Sequence, residues 1–248
     1  MNSILITGCK RGLGLGLVKC LVRNAKDAPK YLLATVRDAA KAEELQSLAK
    51  VHPNIHVLEI DLTDYDAYEG FAKKVGDIVK EDGINLLFNS AGYSTKSTRL
   101  HLTQHKDILD CFAINSVAPV MLAKAMLPHL RKAATVNAGK PIGPQRACVV
   151  NMSSVLGSIS ANESGGLYAY RMSKAALNMA TKSMSVDMQG DNIMAVCLHP
   201  GWVRTDMGGS KAPLDAETSS SGMLDVIRGL TVEHNGRFFQ YDGKELSW

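Results

Sequence analysis

Short apolar runs alternate with stretches of helical periodicity along almost the whole chain. Residues 3–7 (Ser-Ile-Leu-Ile-Thr) form the first run, apolar at successive positions as a strand buried on both faces would be. It leads into Gly8-Cys9-Lys10-Arg11-Gly12-Leu13-Gly14-Leu15-Gly16, after which Leu17, Val18, Leu21 and Val22 recur at helical spacing. Further runs at 31–36, 55–60, 84–88, 147–152 and 193–198, with a short last one at 237–240, are separated by helical patterns at 39–49, from Thr63-Asp64 through Val79, at 103–130 and onward from Tyr170. Strand and helix in alternation predict a Rossmann-type, doubly wound parallel α/β sheet of seven strands with helices on both faces. Residues 133–146, polar and carrying Gly139, Pro141, Gly143 and Pro144, are expected to be an exposed connection within one domain spanning 1–248. Residues 207–222 are rich in glycine and serine without periodicity, and a loop of that length predicts a substrate lid.

Composition narrows the class. At 248 residues, 46% hydrophobic and 21% charged, the chain is long enough for one large core. The net charge of +4 is dispersed, with no basic run of the kind that meets nucleic acid or an anionic membrane. The first apolar run is too short for a secretory core, and no stretch reaches about 18 uninterrupted apolar residues, so a cytoplasmic protein with no membrane partner is expected. Cys9, Cys20, Cys111, Cys148 and Cys197 are scattered and odd in number, which argues against a disulfide framework and against zinc. His199 has no ligand partner at metal spacing and is assigned a structural role.

The candidate chemistry lies where apolar runs end. A strand, a glycine turn and a helix together can admit a pyrophosphate, because glycines let backbone approach it and the helix start offers free N–H groups. The spacing here is Thr-Gly-x-x-x-Gly-x-Gly, since Leu17 stands where G-x-G-x-x-G would need its last glycine. Residues 31–36 end at Arg37, where a unit selecting NAD carries an acid for the ribose 2′-hydroxyl. Arg37 with Arg11 therefore suits the 2′-phosphate of NADP. Asp38 is read as the N-cap of the next helix; turned instead to the ribose it would favour NAD. Asp61 and Asn89-Ser90-Ala91-Gly92 fall at strand ends on the same edge, where ligands bind in such sheets. Asn115 sits in a helical, largely apolar stretch, where it can bend the helix or bond locally, and Pro119 close by makes a disturbed turn plausible. Tyr170 and Lys174, four positions apart, share one helical face. A positive neighbour favours the ionised phenol, so the pair can pass a proton near neutral pH. Tyr168 lacks such a partner, because four positions on lies Met172.

Thr7-Gly8-x-x-x-Gly12-x-Gly14, Asp61-Leu62, Asn89-Ser90-Ala91-Gly92, Asn115, Ser154, Tyr170-x-x-x-Lys174 and Pro200-Gly201 occur in the order found in the short-chain dehydrogenase/reductase family, which the chain resembles over nearly its whole length. Within that family it resembles the NADPH-dependent carbonyl reductases of the sniffer type, through Asn151-Met152-Ser153-Ser154, Tyr168-Ala169-Tyr170-Arg171 and His199-Pro200-Gly201-Trp202-Val203. Ser90 departs from the commoner Asn. The resemblance implies that Ser154 bonds a substrate carbonyl, Tyr170 gives it a proton, Lys174 lowers the phenol pKa and bonds the nicotinamide ribose, and Asn115 holds a water. It implies NADPH/NADP+ bound by Gly8, Arg11, Gly12, Leu13, Gly14, Arg37, Asp61, Leu62, Asn89, Ala91, Gly92, Tyr170, Lys174, Pro200, Gly201, Val203 and Thr205, no metal, and a small-molecule carbonyl substrate. Relatives of this kind occur as homodimers and as monomers, and the direction of reaction stays open between carbonyl reduction and oxidation of an alcohol, sterol or retinoid. A catalytically silent NADP-binding sensor or scaffold is the third reading.

Overall fold

The computed structural model describes residues 1–23, 28–95 and 99–248. Seven strands, β1 (Ser3–Ile6), β2 (Tyr31–Val36), β3 (Ile55–Glu59), β4 (Leu86–Asn89), β5 (Cys148–Met152), β6 (Met194–His199) and β7 (Phe238–Gln240), form one sheet in the order β3-β2-β1-β4-β5-β6-β7. Every neighbouring pair is parallel, with Ile4 opposite both Leu32 and Leu86, and Val150 opposite Phe88 and Val196. The order reverses between β1 and β4, the place where such sheets open a ligand crevice at their carboxyl edge.

Among the described residues seven α-helices cover the sheet: α1 (Gly12–Val22), α2 (Glu43–Val51), α3 (Tyr68–Val79), α4 (His105–Phe112), α5 (Ala118–Val136), α6 (Tyr168–Asp187) and α7 (Ala216–Arg228). The period of two along each strand divides the core in two. Ile4 and Ile6 pack with Leu17 and Leu21 of α1 and Met223 and Ile227 of α7. Leu5, Leu33 and Leu87 face the other way, onto Val75 of α3 and Met126 and Leu130 of α5. The α1–α7 contact is close because Gly16 has no side chain: a Cβ there would stand 2.6 Å from the Ser220 hydroxyl.

Between α4 and α5 the helix widens into a π turn over Ala113–Val117, where the Ala118 N–H reaches the Ala113 carbonyl. Pro119 explains the disturbance, for it lacks the N–H that an α-helix would direct at the Asn115 carbonyl. The run His105–Val136 is, among the described residues, the one helical stretch long and apolar enough to cross a membrane by length and composition. Leu122, Met126 and Leu130 place its inner face in the core of the sheet.

Two local expectations fail. Residues 207–222 are not one loop, because α7 begins at Ala216 with the Asp215 carboxylate accepting the Thr218 N–H at 2.7 Å. Asp38 precedes a short 3-10 turn, Ala39–Lys41, without capping it; the Glu59 carboxylate from the neighbouring strand takes the Ala39 N–H at 2.6 Å, and Asp38 pairs with Lys41 at 2.7 Å.

Candidate active site

A cleft of about 1200 Å³ opens along the carboxyl edge of the sheet. Its floor is glycine backbone. Gly8 has φ 75°, and a Cβ there would meet the Ala91 Cα at 2.9 Å; a Cβ on Gly14 would overlap the Gly8 carbonyl. Thr7 joins the two loops, its hydroxyl accepting the N–H groups of Ser90 and Ala91, each at 3.0 Å. Among the described residues no side chain caps α1, and its start, with N–H groups of the kind that receive an anion, opens on the cleft. Gly12 and Leu13 stand at that helix start, on the cleft wall. Bare backbone, a free helix start and a long crevice fit a dinucleotide pyrophosphate.

Exposed charge surrounds one end of the cleft. Arg37, Lys41 and Arg11 line it, with Asp61 and Leu62 nearby. The Asp61 carboxylate is held by the Thr63 N–H at 2.9 Å and hydroxyl at 2.7 Å, and these bonds keep its pKa below the usual range. Asp38 is held low chiefly by Lys41. Arg11 is engaged by Asp206 at 2.6 Å, with both side chains largely exposed. Asp206, also on the cleft wall, was missed in the sequence because nothing in its local pattern pairs it with a residue so distant.

At the other end α6 presents Tyr170 and Lys174 to the cleft. The Lys174 ammonium donates to the Met152 carbonyl at 2.8 Å, is almost fully buried, and lies 5.7 Å from the centre of the Tyr170 ring. Ser154 begins the 3-10 turn Val155–Gly157, its hydroxyl accepting the Leu156 N–H at 3.2 Å. Burial pushes the Tyr170 phenol up to about 12, and a hydrogen bond from Ser154 opposes it. Burial likewise lowers Lys174 to about 8. Desolvation dominates both groups, and the ammonium is directed at the Met152 carbonyl rather than at the phenol oxygen.

The remaining nominated residues divide. Ala91, Gly92, Pro200 and Thr205 line the cleft. Asn89 does not: its amide is turned under the sheet edge, donating to Asn151 at 2.8 Å, and Asn151 donates in turn to Thr181 at 2.8 Å. Gly201 (φ 80°) is enclosed by Leu214 and Tyr241, and Val203 is buried in a bridge with Leu214, so both support the wall from behind. Asn115 is fully buried, accepting the Tyr93 N–H at 2.7 Å and donating to the Tyr93 carbonyl at 2.7 Å and the Ser173 hydroxyl at 2.9 Å. Its side chain thus fastens the loop at the cleft mouth. His199 is buried with its Nδ1 unpartnered and its pKa lowered to about 4 by burial. Among the described residues no cluster of His, Cys, Asp or Glu could hold a metal.

A glycine-floored crevice at the strand-order reversal, with Tyr170 and Lys174 on its wall at one end and Ser154 bonded to the phenol, defines a nicotinamide-cofactor oxidoreductase. Residues 2–215 match the short chain dehydrogenase family, and the chain belongs to it. It is similar over its full length to the carbonyl reductase Sniffer of D. melanogaster, with 53% identity, TM-score 0.98 and 100% of each chain covered. The NADPH-bound carbonyl reductase from chicken fatty liver is 37% identical with TM-score 0.94, covering 100% of this chain and 99% of that one. The C-signal protein of Myxococcus xanthus is 46% identical over 165 residues, 66% of this chain and 93% of that protein.

Proposed function

We propose that the protein is an NADPH-dependent carbonyl reductase that converts aldehydes or ketones to alcohols. The observation that carries this reading is that Tyr170, hydrogen-bonded by Ser154, and Lys174 line one end of a cleft whose other end is lined by Arg11, Arg37 and Lys41. The carbonyl reductases similar to it, one of them with NADPH bound, support the same choice. The cofactor supplies a hydride. Negative charge then gathers on the substrate oxygen, and the Ser154 and Tyr170 hydroxyls are the donors set to receive it, each worth a few kcal/mol in such sites. Tyr170 keeps its proton at neutral pH, since burial holds its pKa at about 12, and is therefore a donor in the reducing direction. Lys174, mostly protonated at pH 7 with its pKa near 8, fixes the sheet edge through Met152 and holds a second proton beside the phenol. Arg37 and Arg11 are suited to a 2′-phosphate, while Asp38, on the same wall, is paired with Lys41 at 2.7 Å.

Oxidation of an alcohol runs through the same groups in reverse, and the cellular cofactor ratio sets the direction. The test is NADPH consumption with a reactive aromatic dione, with kcat/KM compared between NADPH and NADH. Two charged hydrogen bonds to the phosphate predict a preference for NADPH of about two orders of magnitude. An NADH preference would overturn the cofactor reading alone, whereas tight NADPH binding without turnover of any carbonyl in a panel would favour a silent sensor.

A further inference from the structure

Asn178 lies one helical turn beyond Lys174 and two beyond Tyr170, so the three side chains fall on one stripe of α6. An asparagine is a poor choice for a buried helix interior, since its amide must be satisfied there. Here it is satisfied at both ends. Its Oδ1 accepts the Ser153 hydroxyl at 2.5 Å, and its Nδ2 donates to the Gly157 carbonyl at 3.2 Å. Those two partners stand on either side of Ser154. The turn they bracket is pressed against α6, for a Cβ on Gly157 would lie 2.7 Å from the Lys174 Cβ. Within the turn, Ser154 spends its carbonyl on the Gly157 N–H at 2.8 Å and accepts the Leu156 N–H at 3.2 Å. These bonds shape the turn but do not tie it to the helix that carries Tyr170. Asn178 does, at two points, with Arg171 reaching the Leu156 carbonyl further out at 3.3 Å.

We propose that Asn178 is a positioning residue: through Ser153 and Gly157 it sets the Ser154 hydroxyl against the Tyr170 phenol, so that both meet one substrate oxygen. The inference rests on the reading of Ser154 and Tyr170 as the oxygen-binding pair. An amide can accept from a hydroxyl at its oxygen and donate to a carbonyl from its nitrogen at once. Alanine loses both bonds. Displacement of a reacting group by about 1 Å can cost about a hundredfold in rate, and a partial shift costs less.

The experiment is a double-mutant cycle with NADPH and the dione, on the wild type, Ser154→Ala, Asn178→Ala and the double variant. Asn178→Ala should lower kcat about 10- to 100-fold while the NADPH Kd, read by fluorescence, stays within about twofold. In the Ser154→Ala background the same change should add less than about twofold, because the group it positions is gone. Equal losses in both backgrounds, or an unchanged kcat, overturn the proposal. Wild-type turnover in Ser154→Ala refutes the role of Ser154 itself, and is thereby distinguishable from a failure at Asn178. Ser153→Ala removes one of the same bonds by deleting a small hydroxyl, and carries the same expectation where Asn178→Ala does not fold. The limb of the alcohol-oxidation pH profile governed by the phenol should move to higher pH in Asn178→Ala and Ser153→Ala, as the Ser154 bond that opposes burial is weakened. An unmoved profile overturns the proposal even where Ser154→Ala is too slow to measure.

Discussion

At the β1–β2 end of the cleft the wall is backbone and solvated charge: Gly8, Gly12 and Gly14 contribute by having no side chain, and Arg11, paired to Asp206, is largely exposed. At the β5–α6 end the wall is side chains locked in a buried polar network, with Lys174 on the Met152 carbonyl and Ser153 on Asn178. The difference follows what each end has to hold. A pyrophosphate needs close backbone and long-range attraction, which tolerate small movements. A developing oxyanion needs donors placed to a fraction of an ångström in a site poor in water. Single changes should therefore be severe at the buried end and mild at the exposed one.

The largest expected effect is at Tyr170, the one phenol in the cleft that stands beside both Ser154 and Lys174. Tyr170→Phe should lower kcat by about 10²–10⁴-fold, the usual range for loss of a general acid, with cofactor affinity and thermal unfolding near those of the wild type. Tyr168→Phe, on the same helix and outside the cleft wall, should stay active. Steady-state kinetics on the pair decides the matter; a dead 168 variant beside a working 170 variant would reverse the assignment.

Much of this contrast can be read from residue order, and some of it cannot. The strands are legible to within about two residues because buried parallel strands leave uninterrupted apolar runs. The glycine turn and the Tyr170–Lys174 spacing are local patterns on single elements, and the fold keeps them together. What escapes is decided by partners distant in sequence. Asn89 turns from the cleft because Asn151 stands opposite it across β4 and β5. Asp38 loses the capping role to Glu59, which the β2–β3 pairing brings alongside. The start of α7 did carry a signal, Asp215 at the cap, but Thr218-Ser219-Ser220-Ser221-Gly222 have weak helix propensity and concealed it. The raised Tyr170 pKa is likewise a burial effect, invisible in a spacing rule that considers only the charge of Lys174.

The buried end should also have a pH signature in stability. His199, 8% exposed at the end of β6, has its pKa lowered from 6.5 to about 4, first of all by burial. Between those values the unfolded chain binds a proton that the folded one refuses, so stability falls as pH drops from 6.5 toward 4. A separation of that size corresponds to about 3 kcal/mol by pH 4. His199→Gln, which cannot take up the proton, should flatten that fall. Urea unfolding of both proteins at pH 7 and pH 4.5 measures it, and parallel losses would show that other groups carry the acid sensitivity.

The smallest effect, and the one that sharpens the contrast most, lies at Asp206. Its carboxylate holds Arg11 at 2.6 Å across the mouth of the cleft, where both side chains are about 70% exposed. On the present reading Arg11 must leave that partner, or share it, to meet the 2′-phosphate of NADPH. An ion pair this exposed is weak, because water and salt screen it and holding two long side chains together costs entropy. Asp206→Asn should then tighten NADPH by about two- to fivefold at low salt, with the gain shrinking as ionic strength rises and NADH affinity changing less. Titration of NADPH and NADH at two salt concentrations reads it directly. A loss of NADPH affinity in Asp206→Asn would mean that the bridge helps to hold the cofactor rather than competing for Arg11. A change of about a hundredfold or more in either direction would place this exposed end on the same energetic scale as the buried one, and remove the distinction between them.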